Sequence, residues 1–235
     1  MMRRPVGRAA GRPGVALLLF SVLATTPSLA RAQVQPQPGD GVAVVNRASQ
    51  VYRGLSSLRA DFEQVISDDM IGTFESRGVL VQAGQNQLAM RFTDPKGDAI
   101  VIDGRHVWAY TPSTTPGQVI RLPVPNGPTY GFNVLGWLLD RPAERYRINY
   151  LGREFVDFAQ TDVVELIPIS SDLPFKRAVL WLDRDTALPR KLEIQERSGG
   201  KRILTLTKLR TNEKVSDKTF RFEVPDGVRV IDQEV

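Results

Sequence analysis

The hydrophobic pattern of this chain changes period once and then keeps the new one. From Asp40 the apolar positions are helical: Val44, Val45, Ala48, Val51, Tyr52 and Leu55 fall on one face, with Asp40 placed to cap the first turn. After Gly54 a period of two takes over and recurs in short runs at residues 73–81, 87–93, 99–102, 106–110, 146–151, 162–167, 178–182, 190–196, 202–209 and 220–224. Turn chemistry separates the runs, including Asp103-Gly104, Gly199-Gly200 and residues 183–186. Short strands joined in series by hairpins require a large antiparallel sheet, and at about ten strands such a sheet must curl over its own core.

The runs differ in how many faces they bury. Residues 191–195 alternate, with Leu192 and Ile194 inward, and Phe220, Phe222 and Val224 alternate in the same way. Residues 99–102, 107–110 and 179–182 are apolar on both faces, so something apolar must cover the second face of the sheet. The sequence offers two covers, the first helix and residues 131–140 (GFNVLGWLLD), where Phe132, Leu135, Leu138 and Leu139 form one short apolar face. Two readings follow from the pattern: an ordinary core of helices packed on a sheet, or helices that form a lid over a cavity for an apolar ligand.

The N-terminus has the order of an export signal. Arg3, Arg4, Arg8 and Arg12 precede an apolar run over residues 15–24, and Ala30-Arg31-Ala32 offers small residues for cleavage, so residues 1–32 read as a signal peptide. The residues after Arg3-Arg4, Pro5-Val6-Gly7, do not continue a twin-arginine pattern, which points to general secretion. Residues 33–39 (QVQPQPG) read as a flexible lead-in, and residues 40–235 as a single domain. Five of the 31 basic residues and none of the 26 acidic ones lie in the signal, so the mature chain is formally neutral. The excess charge of the precursor is therefore no argument for a nucleic-acid partner. The chain has no cysteine, which excludes disulfides, thiolate chemistry and a lipidated N-terminal cysteine.

The catalytic inventory is thin. His106 is the single histidine and sits beside a turn, and no G-x-S-x-G elbow, glycine-rich phosphate loop or dinucleotide fingerprint is present. Asp68-Asp69 are the most visible acids for a carboxylate-dependent hydrolase, and solvated turn residues are the plainer reading of them. The expectation is a protein that is not an enzyme and holds no metal or cofactor.

Several motifs in fixed order carry a resemblance. They are Phe62-x-Gln64 after the amphipathic helix, Phe92-x-x-Pro95, the hairpin Asp103-Gly104-x-x-x-Trp108-x-Tyr110-x-Pro112, the run from Phe175 through Leu180-Trp181-Leu182-Asp183 to Leu188-Pro189, and Phe220-x-Phe222-x-Val224-Pro225-x-Gly227-Val228. Together they resemble the LolA-type periplasmic outer-membrane lipoprotein carriers over nearly the whole mature chain. The resemblance implies a mainly β fold with some α, an unclosed antiparallel β-barrel of about eleven strands with helices as a lid over an apolar cavity. It also implies a monomeric periplasmic chaperone that binds lipoprotein acyl chains, receives them from an inner-membrane ATP-driven releasing complex and passes them to an outer-membrane receptor. A carrier of another lipid and a lipoprotein-sensing regulatory module share that fold and remain open alternatives.

On this reading Leu88, Met90, Phe92, Trp108, Tyr110 and Trp181 are the expected cavity wall, and Val134, Leu135, Leu138 and Leu139 the expected lid. One departure stands out. Where the family has an arginine that bonds the lid helices, this chain has Gly84, in Gly84-Gln85-Asn86-Gln87-Leu88. Arg91 lies seven residues on, an odd number, so in a regular strand it faces the other way. The lid must be looser than in the family or latched by other residues.

Overall fold

The computed structural model describes residues 40–70, 72–124 and 133–233. The expected signal peptide, the lead-in and Phe132 lie outside the described residues. Asp40 caps helix α1 (Gly41–Gly54) through its carboxylate, which accepts the Ala43 N–H at 3.0 Å; Val44, Val45, Ala48 and Tyr52 are buried as the spacing predicts, Val51 and Leu55 are half-buried, and Ser49 joins the buried face.

The strands follow: β1 (Ser57–Asp68), β2 (Gly72–Ala83), β3 (Gln87–Asp94), β4 (Ala99–Ile102), β5 (His106–Tyr110) and β6 (Gln118–Pro123). Two short helices, α2 (Val134–Leu138) and α3 (Pro142–Arg145), precede β7 (Tyr146–Val156), β8 (Ala159–Pro168), β9 (Phe175–Asp183), β10 (Pro189–Glu196), β11 (Lys201–Thr211) and β12 (Arg229–Asp232). They form one twelve-stranded sheet in the order β12-β6-β5-β4-β3-β2-β1-β11-β10-β9-β8-β7. All neighbours are antiparallel hairpin or return pairs except β12, which runs parallel to β6. The sheet is not closed, since β12 and β7 end it as edges. Its inner face is nevertheless one continuous core: Leu88, Ile102 and Val107 from one half cluster with Val164, Leu166 and Leu182 from the other, around α1 and α2. Side chains so far apart in strand order meet because the sheet curls.

Close approach shapes the middle of that curl. At Gly78 a Cβ would stand 2.2 Å from the Arg91 carbonyl, so only glycine lets β2 and β3 meet where their register shifts between Arg77 and Gly78.

The structure corrects two expectations. Residues 220–224 are not a sheet strand: Asp217–Phe220 forms a short 3-10 turn and residues 221–225 make no ladder. Their alternation arises because the segment lies side-on against the outer face, where Phe220 packs with Val81, Ala89 and Val101 and Phe222 joins them from the rim. The second correction follows from the first. The helices cover only the inner face, and this C-terminal segment covers the outer face of β2–β5.

Candidate functional site

The candidate site is the interior between the sheet and the helices. Cross-strand partners share a face, so the ladder Leu58, Gln82, Leu88, Ile102, Val107 and Leu122 defines one inward row, and Ala60, Leu80, Met90 and Ile100 the next. Leu88 and Met90 are buried in this core, and Phe92 packs edge-on against Phe62 with ring centroids 5.1 Å apart. Opposite them stand Val134, Leu135 and Leu138 of α2 and Leu139 at its end, all in the same cluster. The structure thus brings these wall and lid residues together in one interior.

Trp108, Tyr110 and Trp181, also expected in the wall, are elsewhere. Trp108 pairs with Val101, which pairs with Ala89, and that row faces outward. Trp108 stacks on Phe222 at 5.5 Å, donates from Nε1 to Asp103 at 2.8 Å and lies under the Arg121 guanidinium, while Tyr110 leans on the same Phe222 ring. Trp181 is outward as well, packed with Val163 and Val179, donating to Glu154 at 2.7 Å and covered by the Lys191 ammonium. A strand apolar on both faces gives no sign of which face its aromatic takes.

Among the described residues the interior is closely filled. The space left among Leu80, Leu88, Met90, Val134, Leu135 and Leu204 is about 20 Å³, far below the ~300–1,000 Å³ of a ligand pocket. What fills it is α2, a helix of five residues that could not persist alone in water. Polar ties hold it. The Ser49 hydroxyl donates to the Leu139 carbonyl at 2.6 Å, Arg145 donates to the Trp137 carbonyl at 2.6 Å, and the Asn133 side chain caps the helix by accepting the Gly136 N–H at 3.1 Å.

A polar cluster lies at the edge of α2. The buried Tyr52 hydroxyl of α1 donates to the Gln82 side chain of β2 and lies 3.5 Å from the side-chain Oδ1 of Asn133, while Gln82 Nε2 donates to the Gly84 carbonyl at 2.8 Å. Burial pushes the Tyr52 phenol up, the Gln82 bond opposes this only in part, and the group stays neutral. Gly84 itself turns the chain between β2 and β3 at φ +54°, with open space where a Cβ would stand. Arg91 is on the outer face, its guanidinium reaching the Thr219 and Arg221 carbonyls at 3.4 and 3.2 Å, so it clamps the C-terminal segment and not the lid.

The seat of α1 is a second polar device. Arg47 donates to the Arg184 and Asp185 carbonyls, both at 2.9 Å, in the turn between β9 and β10. That turn is held by Asp183, whose carboxylate receives Arg190 through two nitrogens at 2.8 and 2.9 Å and the backbone N–H of Asp185 and Thr186. Burial alone would raise the Asp183 carboxyl, but the Thr186 amide and Arg190 outweigh it and hold it below the usual carboxylate range.

The residues weighed for catalysis are apart and engaged in turns. His106 lies 4.0 Å from Asp103, whose carboxylate caps its own turn by accepting the Arg105 and His106 N–H at 2.7 Å. Asp68 accepts the Met70 N–H at 2.8 Å at the tip of the β1–β2 hairpin. Among the described residues no helix is long and apolar enough to cross a membrane.

Comparison with known proteins agrees with the architecture. The outer-membrane lipoprotein carrier proteins of Vibrio parahaemolyticus and Halorhodospira halophila are similar to this chain. The first is 26% identical over 216 residues, 92% of this chain and 95% of its own length, and the second 27% identical over 193 residues, 78% and 83%. Among solved structures, an uncharacterized conserved protein of Thermus thermophilus superposes with a TM-score of 0.53 at 12% identity, over 82% of this chain and 98% of its own, which shows a shared fold. A LolA superfamily protein of Nitrosomonas europaea covers 77% of this chain and 97% of its own with a TM-score of 0.40 and 16% identity. The model of the family described as outer membrane lipoprotein carrier protein LolA matches residues 53–223, from the last turn of α1 to the C-terminal segment, and the chain belongs to that family.

Proposed function

We propose that this protein is a periplasmic carrier that takes the acyl chains of lipoproteins into the interior now filled by α2 and carries them from the inner to the outer membrane. The observation that carries the reading is that an apolar interior, continuous across the curled sheet, is plugged by the side chains of a five-residue helix. Leu135, Leu138 and Leu139 are in effect a built-in ligand. Burying an acyl chain of about fifteen methylenes releases on the order of 12 kcal/mol at about 0.8 kcal/mol each, and expelling the lid from the same surface recovers part of it. Loading and unloading are then an exchange between cargo and lid, and neither requires a catalytic step.

Family membership and the export-like N-terminus support the location. Cargo would come from an ATP-driven releasing complex in the inner membrane and leave to a receptor at the outer membrane. The test is to purify the protein from the envelope and identify co-extracted molecules by mass spectrometry. Triacylated lipoprotein or its peptide is expected. A protein that is reproducibly empty and also fails to take up an acyl-chain fluorophore would refute the reading, and phospholipid alone would point to a lipid carrier instead.

A further inference from the structure

The β7–β8 hairpin ends in an exposed aromatic tip. Its last rungs, Phe155 with Gln160 and Val156 with Ala159, lie beyond the last pairing of β8 with β9, Thr161 with Asp183, so the hairpin reaches past its neighbour at the edge of the sheet. Arg184 braces it there, through its amide to the Gln160 carbonyl at 3.0 Å and its guanidinium to Gln160 Oε1 at 2.7 Å.

Asp157 and Phe158 make the two-residue loop, both with left-handed backbone at φ +47° and +63°. A loop of that shape favours Asn-Gly, and a bulky ring at its second position is strained. Phe158 occupies that position and is 97% exposed, while Phe155, a few residues before it, is 70% exposed. Neither ring belongs to a core cluster of the described residues. The strain therefore secures nothing inside the fold. An apolar group held at a backbone cost and left in water points to an acceptor outside the molecule.

We infer that the tip formed by Phe155 and Phe158 is a membrane-contact device, which inserts its two rings into the outer edge of a lipid bilayer while the rest of the sheet stays in water. Size and shape favour a bilayer over a protein partner. Two phenylalanines offer about 300–500 Å², less than the ~800 Å² that each side of a standard protein interface buries, and a projecting hairpin turn supplies no groove to enlarge it. A bilayer needs no complementary shape, and aromatic rings at its boundary are a favourable placement. Charge is not the attraction: Arg153 and Arg184 share the Asp162 carboxylate at 3.5 and 3.7 Å, and Glu154 and Asp157 add two further acids. Contact made by two rings alone is weak and reversible, below the ~10⁴ M⁻¹ of a single fatty chain, so the protein visits a membrane surface without remaining on it. The inference does not depend on the carrier reading, because the contact requires no cargo.

The experiment measures binding of the cargo-free secreted form to vesicles of phosphatidylcholine alone and of phosphatidylethanolamine with phosphatidylglycerol. The unaltered protein is expected to bind both, with less than about twofold change between low salt and ~1 M salt, where surface charges are screened. Phe158→Gly and Phe155→Ser should each weaken binding about tenfold or more. Phe158→Gly should also unfold at a temperature no lower than that of the unaltered protein, because glycine accepts the left-handed backbone, so lost binding there is not lost folding. In Phe158→Trp, the added indole emission should shift to the blue on vesicles. Absence of vesicle binding by the unaltered protein, equal binding by the variants, or binding abolished by salt overturns the inference and leaves the carrier reading standing. Concentration-dependent self-association that is lost in Phe158→Gly, without vesicle binding, also overturns it and assigns the tip to a second copy of the chain.

Discussion

Over β2–β5 both faces of this sheet are covered, and the two covers are built differently. The outer cover is aromatic and interlocked: Phe220 is buried against Val81, Ala89 and Val101, Phe222 stacks on Trp108, Arg91 holds two of its carbonyls, and β12 then ties the chain to the sheet edge along β6. The inner cover is mostly aliphatic, with Trp137 set edge-on against Phe175 of the wall at 5.6 Å, and its central piece is about one turn and a half of helix secured by a few polar ties. Aromatic stacks lose geometry when displaced, whereas aliphatic side chains exchange for other aliphatic groups at little cost. The outer cover is made to stay, and on the proposed carrier function the inner one gives way to a ligand.

The largest test of that contrast removes the anchor of the permanent side. Phe220→Ala leaves a cavity under the C-terminal segment and is expected to cost about 3–5 kcal/mol of stability, seen as a fall in thermal midpoint. Uptake of an acyl fluorophore by the remaining folded protein should be unaltered. A gain in uptake instead would show that the two covers are coupled.

Next comes the seat of the inner cover. Asp183→Ala strands Arg190 and the amides of the turn on which Arg47 rests, and about 3 kcal/mol of stability should be lost. The same group makes stability depend on pH. Its carboxyl lies below the ordinary value in the folded protein, so its contribution is complete above about pH 4, the unfolded pKa, and fades as pH falls through the lower folded value. Acid titration of stability should therefore be shallower below pH ~4 in Asp183→Asn than in the unaltered protein.

Tyr52→Phe addresses the edge of the lid. It removes the hydroxyl that joins α1 to Gln82 and leaves that side chain without its donor, at a cost of about 1–2 kcal/mol. Because the lost bond belongs to the closed form, acyl fluorophore uptake should become faster. Unchanged uptake would mean that Ser49 and Arg145 alone hold the lid. The reciprocal change, Gly84→Arg, should slow cargo release if an arginine there can still reach the lid, although the left-handed backbone at this position disfavours any side chain.

How far the sequence reaches is clearest along β1 and at the tryptophans. Helix α1, its Asp40 cap and most strands are legible because amphipathic period survives in any environment. β1 is legible in principle, as Leu58, Ala60 and Phe62 alternate with Arg59, Asp61 and Glu63, but it falls between a helix end and an acidic turn and lies outside the expected strands. Phe220, Phe222 and Val224 have the period of a strand without being one, because period two reports one-sided burial and not a ladder. The inward facing of Leu88, Met90 and Phe92 follows from strand alternation, whereas Trp108, Tyr110 and Trp181 sit in strands that are apolar on both sides, where only the identity of the cover decides. The Tyr52–Gln82–Asn133 cluster is invisible in the sequence for another reason: its members lie on three elements, 30 and 81 residues from Tyr52.

The smallest effect lies under the inner cover. Tyr146, at the start of β7, is buried with Phe175 beneath the α2–α3 corner, and its hydroxyl has no hydrogen-bond partner among the described residues. Burial pushes its phenol up to about 12 against the opposing pull of Arg145. An unpaired buried hydroxyl opposes folding, so Tyr146→Phe should leave stability unchanged or raise it by up to about 1 kcal/mol, the reverse of what Tyr52→Phe should do. The two tyrosines form a matched pair, one hydroxyl tied and one untied, on the same lid. If both substitutions destabilise equally, the Tyr52 bond is not what secures the helix, and the Ser49, Asn133 and Arg145 ties with packing hold the inner cover.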